Sequence, residues 1–360
     1  MSLRGGSLSL DRRRLACFFI TSATGTLALQ SSRVPGCVGP FAFFRGKLIV
    51  SVDVQETVIT DHLGSDPEPM PFPLQQNFCR FESIEKTIDS VRVLIVDNLL
   101  RDENDLSAVA TTELGKNVHS QLKLERHIAS LALQNIAMNV SRLVKNPTNR
   151  IVHVSELPTA VKEFQPDAIV LSGTLRDFDY YRPELLAGFA DFIHTTTTPV
   201  LGICGGHQLI GLSFGARVLT LDQQEQEKRR TNRVTEYQYR FVRIVEPEDP
   251  IFTGIDNPES RVWQDYTREG RILRVWQNHG LQLDRVPEGF QLLARSYLCH
   301  NQMMVKRSEN QLIYSVQFHL EKSFEDWHSN PTRWEHPNES RDGRLLFENF
   351  LKLALQNRER

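Results

Sequence analysis

The sequence predicts an α/β protein built on an open, mostly parallel sheet flanked by helices, with an added antiparallel edge. Two observations lead to this fold class. Short continuous apolar segments, typical of buried parallel strands, alternate with segments of helical period after residue 90. From about residue 232 to residue 318, short strand-like segments follow one another without helices between them, as in an antiparallel sheet.

The parallel part is predicted from apolar segments and helical spacing. Residues 118–143 form a helix, with apolar side chains at Leu122, Ile128, Leu131, Leu133 and Ile136. A second helix runs from Pro183 to about His194, because proline suits the first turn of a helix. The four predicted strands are residues 91–97, 151–154, 166–173 and 200–203.

The antiparallel part is predicted to consist of six short strands, and one amphipathic helix follows it. The strands are residues 235–245, 261–263, 271–276, 291–294, 303–306 and 312–318. The closing helix covers residues 341–355. We interpret residues 91–360 as one catalytic domain. Residues 223–230 and 322–343 are interpreted as surface loops, the first of them near the mouth of the site.

The turn after the fourth strand carries a cysteine between glycines, in the segment Gly-Ile-Cys-Gly-Gly-His-Gln. Cys204 lies two residues after Gly202 and two before Gly206. A strand, a tight turn and a helix in this order present a nucleophile in α/β enzymes, and glycine tolerates the close approach of the backbone there. The amides at the start of the helix favour a thiolate and can hold an oxyanion. Cys204 is therefore the predicted nucleophile.

A base for this nucleophile is predicted after the last strand, in the segment Ser-Val-Gln-Phe-His-Leu-Glu. His319 and Glu321 are two residues apart, so on an extended segment their side chains point the same way. We expect Glu321 to orient His319, and His319 to act as base and acid. Because ligands bind at the carboxyl ends of parallel strands, Gly173, Cys204 and His319 are expected at one site.

These two segments, together with the Trp-Gln-Asn-His-Gly-Leu segment at residues 276–281, resemble the class I, triad-type glutamine amidotransferases. The resemblance covers roughly residues 91–357. It implies a flavodoxin-like sheet and a glutaminase with the triad Cys204, His319 and Glu321. Such an enzyme hydrolyses the side-chain amide of glutamine through a thioester, and it releases ammonia for a separate acceptor-using synthetase.

The resemblance also implies roles for residues around the triad. The backbone amides of Gly205, Gly173 and Thr174 would hold the oxyanion. The family turn usually reads Ser-Gly-Gly-Pro, whereas here Thr174 follows Ser-Gly, and the usual His-Pro-Glu is His-Leu-Glu. Glutamine would be bound by Gln208, Asn278, Gly280 and Leu281. The two histidines inside these segments, His207 and His279, are interpreted as packing or hydrogen-bonding residues.

Two other functions remain open on the same residues. A free-standing γ-glutamyl hydrolase would use the same Cys–His core on γ-glutamyl conjugates, and Glu321 favours the amidotransferase over it. A catalytically silent binding protein is suggested by the altered turn at Thr174, but the intact triad argues against it. No Gly-x-x-x-x-Gly-Lys-Ser/Thr phosphate loop occurs in the chain, so the use of ammonia is assigned to a separate synthetase subunit.

Charge and cysteine content exclude several classes of protein. The net charge is −2, with the basic residues spread along the chain, which argues against nucleic-acid binding. The five cysteines are Cys17, Cys37, Cys79, Cys204 and Cys299, which are far apart and include no Cys-x-x-Cys pair. They predict neither a disulfide framework nor a zinc site, and we expect no metal and no cofactor. The catalytic part has no apolar segment of membrane-spanning length, about 18 residues.

Residues 1–90 are interpreted as an N-terminal extension. A basic segment at residues 11–15 precedes a moderately apolar one at residues 16–29, which is the outline of a signal peptide, and the paired arginines resemble a twin-arginine signal. An uncleaved extension is the alternative. Residues 62–77 are rich in proline and predict a linker. We expect a cytoplasmic protein, because glutamine-dependent amination serves cytosolic synthesis, with export as the alternative.

Overall fold

The structure is a computed structural model, and it describes residues 85–255, 272–322 and 341–358. The predicted signal-like segment and proline-rich linker lie outside the described residues. The same holds for the strand predicted at residues 261–263, for most of the loop predicted at residues 322–343, and for Cys17, Cys37 and Cys79. Among the described residues, no helix has both the length and the apolar content needed to cross a membrane.

Eleven strands and six α-helices are present in the described residues. The strands are β1 Ile88–Asp97, β2 Val144–His153, β3 Ala168–Leu171, β4 Val200–Ile203, β5 Val218–Thr220, β6 Glu236–Ile244, β7 Ile272–His279, β8 Leu281–Leu283, β9 Gln291–Arg295, β10 Met303–Arg307 and β11 Leu312–Val316. The helices are α1 Ala108–Leu114, α2 Val118–Leu143, α3 Leu157–Phe164, α4 Pro183–Thr195, α5 Gly205–Ser213 and α6 Arg341–Arg358.

Nine of the strands form one sheet, in the order β2-β1-β3-β4-β11-β10-β9-β6-β7. From β2 to β11 neighbouring strands run parallel, and from β11 to β7 they run antiparallel. The predicted mostly parallel sheet with an antiparallel edge is thus confirmed. A small second sheet, β5 with β8, lies outside the main one.

Apolar side chains cover both faces of the parallel part. Along β1 the side chains alternate between two clusters. Val93 and Ile95 join a cluster with residues from the second half of α2 and from α6, while Leu94 and Val96 join a cluster with residues from α4 and α5. A strand covered on both faces needs an apolar residue at nearly every position, because neither face is exposed to water. The continuous apolar segment of β1 has this cause.

The bounds of α2 and β4 are the predicted ones, and β2 is the main difference. It starts at Val144 rather than at residue 151, because its backbone pairs with β1 from Ile88 onwards. As the edge strand it exposes polar residues, so its first seven residues contain no continuous apolar segment that would predict a strand. The pattern also missed α1, α3 and the three-residue strands β5 and β8, which are too short for a clear period.

The sheet order decides where the candidate site lies. Strands β3, β4 and β11 are parallel neighbours, so their carboxyl ends lie side by side. Ser172 follows β3, Cys204 follows β4, and the segment with His319 follows β11. Three separated parts of the sequence therefore meet at one edge of the sheet.

Candidate active site

Cys204 occupies the turn between β4 and α5 in a strained backbone conformation. Its φ is +51° and its ψ is −103°, and a positive φ is uncommon for a residue with a side chain. The N–H of Cys204 donates to the carbonyl oxygen of Val316 on β11 at 2.8 Å, and its own carbonyl accepts from the N–H of Gln208 at 3.1 Å. These bonds hold the strained turn, as is common at functional sites.

The glycines beside Cys204 permit close packing of the turn. A Cβ added to Gly202 would lie 2.6 Å from Cδ1 of Ile210, and one added to Gly206 would lie 2.8 Å from Cβ of Leu171 on β3. A Cβ on Gly205 would lie 2.5 Å from Cγ2 of Thr174. The start of α5 therefore packs directly against β3 and the turn that follows it.

His319 and Glu321 form a buried pair. The Nδ1 of His319 lies 2.7 Å from Oε1 of Glu321, so the predicted contact is present. The predicted reason for it is wrong, because β11 ends at Val316 and Glu321 lies in a turn rather than on an extended segment. The backbone N–H of His319 donates to the carbonyl oxygen of Trp276 at 2.8 Å. The turn and this bond together place the ring.

Charge interactions keep this pair ionised. Burial by itself would lower the pKa of His319, but Glu321 and Cys204 raise that pKa to about 10. Burial would raise the pKa of Glu321, and the neighbouring His319 nevertheless holds it below its usual value. At neutral pH the pair is therefore an imidazolium and a carboxylate, and His319 has a proton to donate.

Gly173 marks the space in which Cys204 and His319 meet. A Cβ built on Gly173 would lie 3.6 Å from Cε1 of His319, 3.7 Å from Cβ of Cys204 and 4.0 Å from the backbone N of Gly205. The missing side chain leaves room for a small group in contact with all three. In the described part of the chain, the N–H groups of Gly173, Thr174 and Gly205 donate to no protein acceptor.

Asn98, which directly follows β1, fixes the turn after β3. Its Nδ2 donates to the carbonyl oxygen of Ser172 at 2.7 Å, and its N–H donates to Oγ of Ser172 at 3.2 Å. Sequence reasoning missed this residue. The polar Asp-Asn pair that ends the first apolar strand was the available signal.

The structure brings two of the four predicted glutamine-binding residues into direct contact. Nε2 of Gln208 donates to the carbonyl oxygen of Leu281 at 3.3 Å. Asn278 lies opposite Tyr237 in the β6–β7 pair, and Gly280 packs against the carbonyl of Val234, 3.3 Å from the position of an added Cβ. All four residues belong to α5 or to the β7–β8 segment.

The two other histidines inside the motif segments, His207 and His279, make hydrogen bonds within the protein, as expected. Nδ1 of His207 lies 2.8 Å from Oγ of Ser315, and burial lowers the pKa of His207 to about 3, so its ring is neutral. Nδ1 of His279 donates to the carbonyl oxygen of Leu281 at 2.9 Å, and its Nε2 lies 3.0 Å from Oε2 of Glu236.

Glu236, His279 and Cys299 are the three residues that come nearest to a set of metal ligands among those described, with ligand atoms within 4.8 Å of one another. The carboxylate already accepts from Oγ of Ser296 at 2.8 Å and from Nε2 of Gln302 at 2.6 Å. Burial raises the pKa of the Cys299 thiol well above its usual value. Hydrogen bonds thus account for this cluster.

Gln317 lies beside Cys204, and sequence reasoning missed it. Its Nε2 lies 3.6 Å from Sγ of Cys204, and its Oε1 accepts from Nε2 of Gln208 at 3.1 Å. It lies two residues before His319, so the same two-residue spacing that led to Glu321 also pointed to it. Its side chain is fully buried.

The loop that contains residues 223–230 is held against the turn after β3 by arginines. The guanidinium of Arg230 pairs with Asp177 at 2.8 Å and with Asp179 at 2.6 Å, and it also reaches Glu113. Arg233 pairs with the same Asp177 at 2.6 Å. A loop predicted to lie near the mouth of the site is therefore connected to the turn that carries Gly173 and its neighbours.

The sheet order and the cysteine turn define an α/β protein that presents a thiol at the carboxyl edge of a parallel sheet. Residues 131–335 match the family model for glutamine amidotransferase class-I. The chain belongs to the class I glutamine amidotransferase family, as the sequence resemblance predicted.

Several relatives are glutamine-hydrolysing GMP synthases or subunits of them. The chain is 32% identical over 162 residues to the glutamine-hydrolysing GMP synthase subunit from Thermococcus kodakarensis. The matched residues cover 45% of this chain and 69% of that protein. It is 33% identical over 163 residues to the corresponding subunit from Pyrococcus abyssi, again with 45% and 69% covered. Against the GMP synthase of Alteromonas mediterranea the identity is 28% over 205 residues, and the match spans 57% of this chain but only 34% of that protein.

Solved structures of similar proteins include a putative GMP synthase subunit from Thermoplasma acidophilum. It matches with a TM-score of 0.43 and 21% identity, and the match covers 75% of this chain and 96% of the Thermoplasma chain. A glutamine amidotransferase from Thermotoga maritima matches with a TM-score of 0.42 and 18% identity over 74% and 98%.

Proposed function

We propose that this chain is the glutaminase part of an amidotransferase, which hydrolyses the side-chain amide of glutamine at Cys204 and supplies ammonia to a separate synthetase. One observation carries the proposal. The side chain of Cys204, the ring of His319 and the amide of Gly205 all border the small space beside Gly173. This is the arrangement that acyl transfer through a thioester requires.

In the first half of the reaction, the sulfur of Cys204 attacks the amide carbon of glutamine. A C–S bond forms and the C–N bond breaks. His319 carries the proton that the departing nitrogen needs, because its raised pKa, about 10, keeps the ring protonated at neutral pH. Ammonia leaves, His319 becomes neutral, and the γ-glutamyl group stays on the sulfur.

In the second half, neutral His319 takes a proton from water, and the hydroxyl attacks the thioester carbon. The C–S bond breaks, glutamate leaves, and the imidazolium and the thiolate are restored. Glu321 acts through the ring, since its bond to Nδ1 at 2.7 Å fixes the tautomer that leaves Nε2 for proton transfer.

The amides of Gly205, Gly173 and Thr174 are the proposed donors to the oxyanion. They surround the same space as the nucleophile, and no other protein group among the described residues uses them. One such donor is worth roughly 10²–10³ in rate. Gln208, Asn278, Gly280 and Leu281 are the proposed contacts for the rest of the glutamine molecule.

A synthetase that aminates an acceptor is the proposed partner, in the cytoplasm where such synthesis takes place. Two matching relatives are named as subunits of a glutamine-hydrolysing GMP synthase, and the longer relative from Alteromonas extends well beyond the matched part. A GMP-forming synthetase subunit is therefore the first partner to test.

The test is ammonia release from glutamine by the purified full chain, alone and with the synthetase subunit, with Cys204→Ala as the control. We expect slow release by the chain alone and faster release with the partner. Arg230 and Arg233 connect the loop near the mouth of the site to the turn after β3 through Asp177, so a partner that moves this loop would also move the turn. Cleavage of γ-glutamyl peptides but not glutamine would show the alternative γ-glutamyl hydrolase. Absence of any turnover would show the silent binding protein.

A further inference from the structure

We propose that Gln317 is a further catalytic residue of this site, which donates a hydrogen bond from its side-chain amide to the sulfur of Cys204. Gln208 acts as a positioning residue, because it determines which end of that amide faces the sulfur. The inference rests on the proposed function in one respect only, namely that Cys204 is the nucleophile.

Backbone hydrogen bonds hold the chain at Gln317, which directly follows β11. The preceding residue, Val316, accepts the hydrogen bond from the N–H of Cys204 at 2.8 Å. The N–H of Gln317 itself donates to the carbonyl oxygen of Gln302 at 2.8 Å. The side chain has no exposed surface, and its Nε2 lies 3.6 Å from Sγ of Cys204.

The direction of the hydrogen bonds follows from the carbonyl oxygen of Leu281, which can only accept. It accepts from Nε2 of Gln208 at 3.3 Å, so Gln208 turns its amino group towards this side. The same amino group donates to Oε1 of Gln317 at 3.1 Å. Gln317 must therefore point its oxygen at Gln208 and its amino group at Cys204, which leaves the sulfur as the acceptor.

The antiparallel edge of the sheet anchors this chain of hydrogen bonds. The carbonyl oxygen of Leu281 also accepts from Nδ1 of His279 at 2.9 Å, and Nε2 of His279 lies 3.0 Å from the carboxylate of Glu236. Glu236 and His279 are direct partners in the β6–β7 pair. A flipped Gln208 amide would place its own oxygen against the carbonyl oxygen of Leu281, and two acceptors cannot form a hydrogen bond, so the amino group stays on this side.

A donor aimed at sulfur favours the thiolate over the thiol, since a hydrogen bond to a charged acceptor is stronger than one to a neutral acceptor. The bond weakens when the sulfur becomes part of the thioester and strengthens again when the C–S bond breaks. Gln317 would thus assist both the resting thiolate and its departure as leaving group in the second half of the reaction.

The test measures the reactivity of Cys204 towards iodoacetamide, which needs neither glutamine nor a partner. Wild type and Gln317→Leu are alkylated in the full chain between pH 5 and 10, and the peptide that contains Cys204 is followed by mass spectrometry. We expect Gln317→Leu to be alkylated about tenfold more slowly at neutral pH. We also expect its rate profile to move to higher pH, with rates converging above the transition.

Gln282 provides a matched control, because it is an equally buried glutamine outside this chain of hydrogen bonds. Its Nε2 donates to the carbonyl oxygens of Thr220 and Leu221. Gln282→Leu should be alkylated at Cys204 with the wild-type rate and pH profile. Should Gln317→Leu fail to fold, Gln317→Glu keeps the shape and replaces the donor by an acceptor, and it should show the same shift.

An unchanged rate and pH profile in folded Gln317→Leu or Gln317→Glu would overturn the inference. So would the same loss in Gln282→Leu, which would point to packing rather than to the donor. A different result would contradict the proposed function alone: wild type releases no ammonia from glutamine, while the alkylation rate of its Cys204 still depends on Gln317.

Discussion

The backbone N–H of His319 donates to the carbonyl oxygen of Trp276 at 2.8 Å, in an isolated antiparallel bridge. Trp276 lies on β7, which continues into Asn278 and ends at His279. One hydrogen bond therefore connects the proposed base to the strand that carries the proposed glutamine-binding segment. A displacement of β7 would move both, so substrate contact and proton transfer share one backbone support.

Replacement of the proposed nucleophile should stop turnover. For Cys204→Ala we expect a loss of glutaminase activity on the order of 10³-fold or more, because no other group at the site can form the thioester. Cys299→Ser is the control, since this thiol is buried outside the proposed machinery and should be dispensable. Serine at Cys17, Cys37 or Cys79 should also leave glutaminase activity unchanged. Near-normal glutaminase activity in Cys204→Ala would contradict the mechanism.

The orienting carboxylate should matter less than the ring that it holds. We expect Glu321→Gln to lower kcat by a smaller factor than His319→Ala, because an amide can still contact Nδ1 while alanine removes the proton carrier. Steady-state kinetics on both variants, with matched thermal unfolding curves, compare them. Equal or greater damage in Glu321→Gln would assign Glu321 a role beyond orientation.

The pair should also make stability depend on pH. The pKa of His319 is raised from 6.5 to about 10, so its contribution is complete below pH 6.5 and is lost as the pH rises through about 10. The pKa of Glu321 is lowered from 4.5, so its contribution is complete above pH 4.5 and is lost only in more acid solution. The Tm difference between wild type and Glu321→Gln should therefore be largest between pH 4.5 and 6.5.

Thermal unfolding of both proteins from pH 4.5 to 10.5 measures this difference. Glu156→Gln is the control, because the side chain of Glu156 is 59% exposed and its pair with Arg101 should contribute little. A Tm difference for Glu321→Gln that stays constant up to pH 10.5 would show that the ion pair does not cause it.

An added methyl group at the start of α5 should disturb the proposed oxyanion turn. The Cβ of Gly205→Ala would lie 2.5 Å from Cγ2 of Thr174, so the turn must move. We expect lower kcat, by roughly 10²-fold if one oxyanion donor is displaced. Gly188→Ala is the control: a Cβ there meets nothing within 4 Å, and alanine in α4 should stabilise the protein by about 0.5–1 kcal/mol. Unchanged kcat in Gly205→Ala would count against this oxyanion site.

Removal of residues 1–85 should leave a folded, active protein. The first strand begins at Ile88, and Oγ1 of Thr87 donates to Oε1 of Glu348 on α6 at 2.6 Å, so the remaining chain keeps its first anchor. Circular dichroism, Tm and glutaminase activity compare the shortened and full chains. Insoluble or inactive shortened protein would show that the extension belongs to the catalytic domain.

Local patterns in the sequence were sufficient for the long elements and for the triad candidates. Helix α2 has the predicted bounds because 26 residues give a clear helical period. The cysteine turn could be predicted because glycine is required wherever backbones approach closely, as Gly206 does to Leu171. The pairing of β2 with β1 left no such signal, since an edge strand can expose polar residues.

The sequence alone thus determined the fold class, the family resemblance and the contact of His319 with Glu321. Only the tertiary structure decided the cause of that contact, which is a turn rather than an extended strand, and the place of Gln317 beside Cys204. The physical reason is the range of the interactions. Helical period and glycine turns are local, whereas the bonds from Leu281 through Gln208 and Gln317 to Cys204 join residues up to 113 positions apart. Contacts of that range exist only once the sheet has brought its strands together.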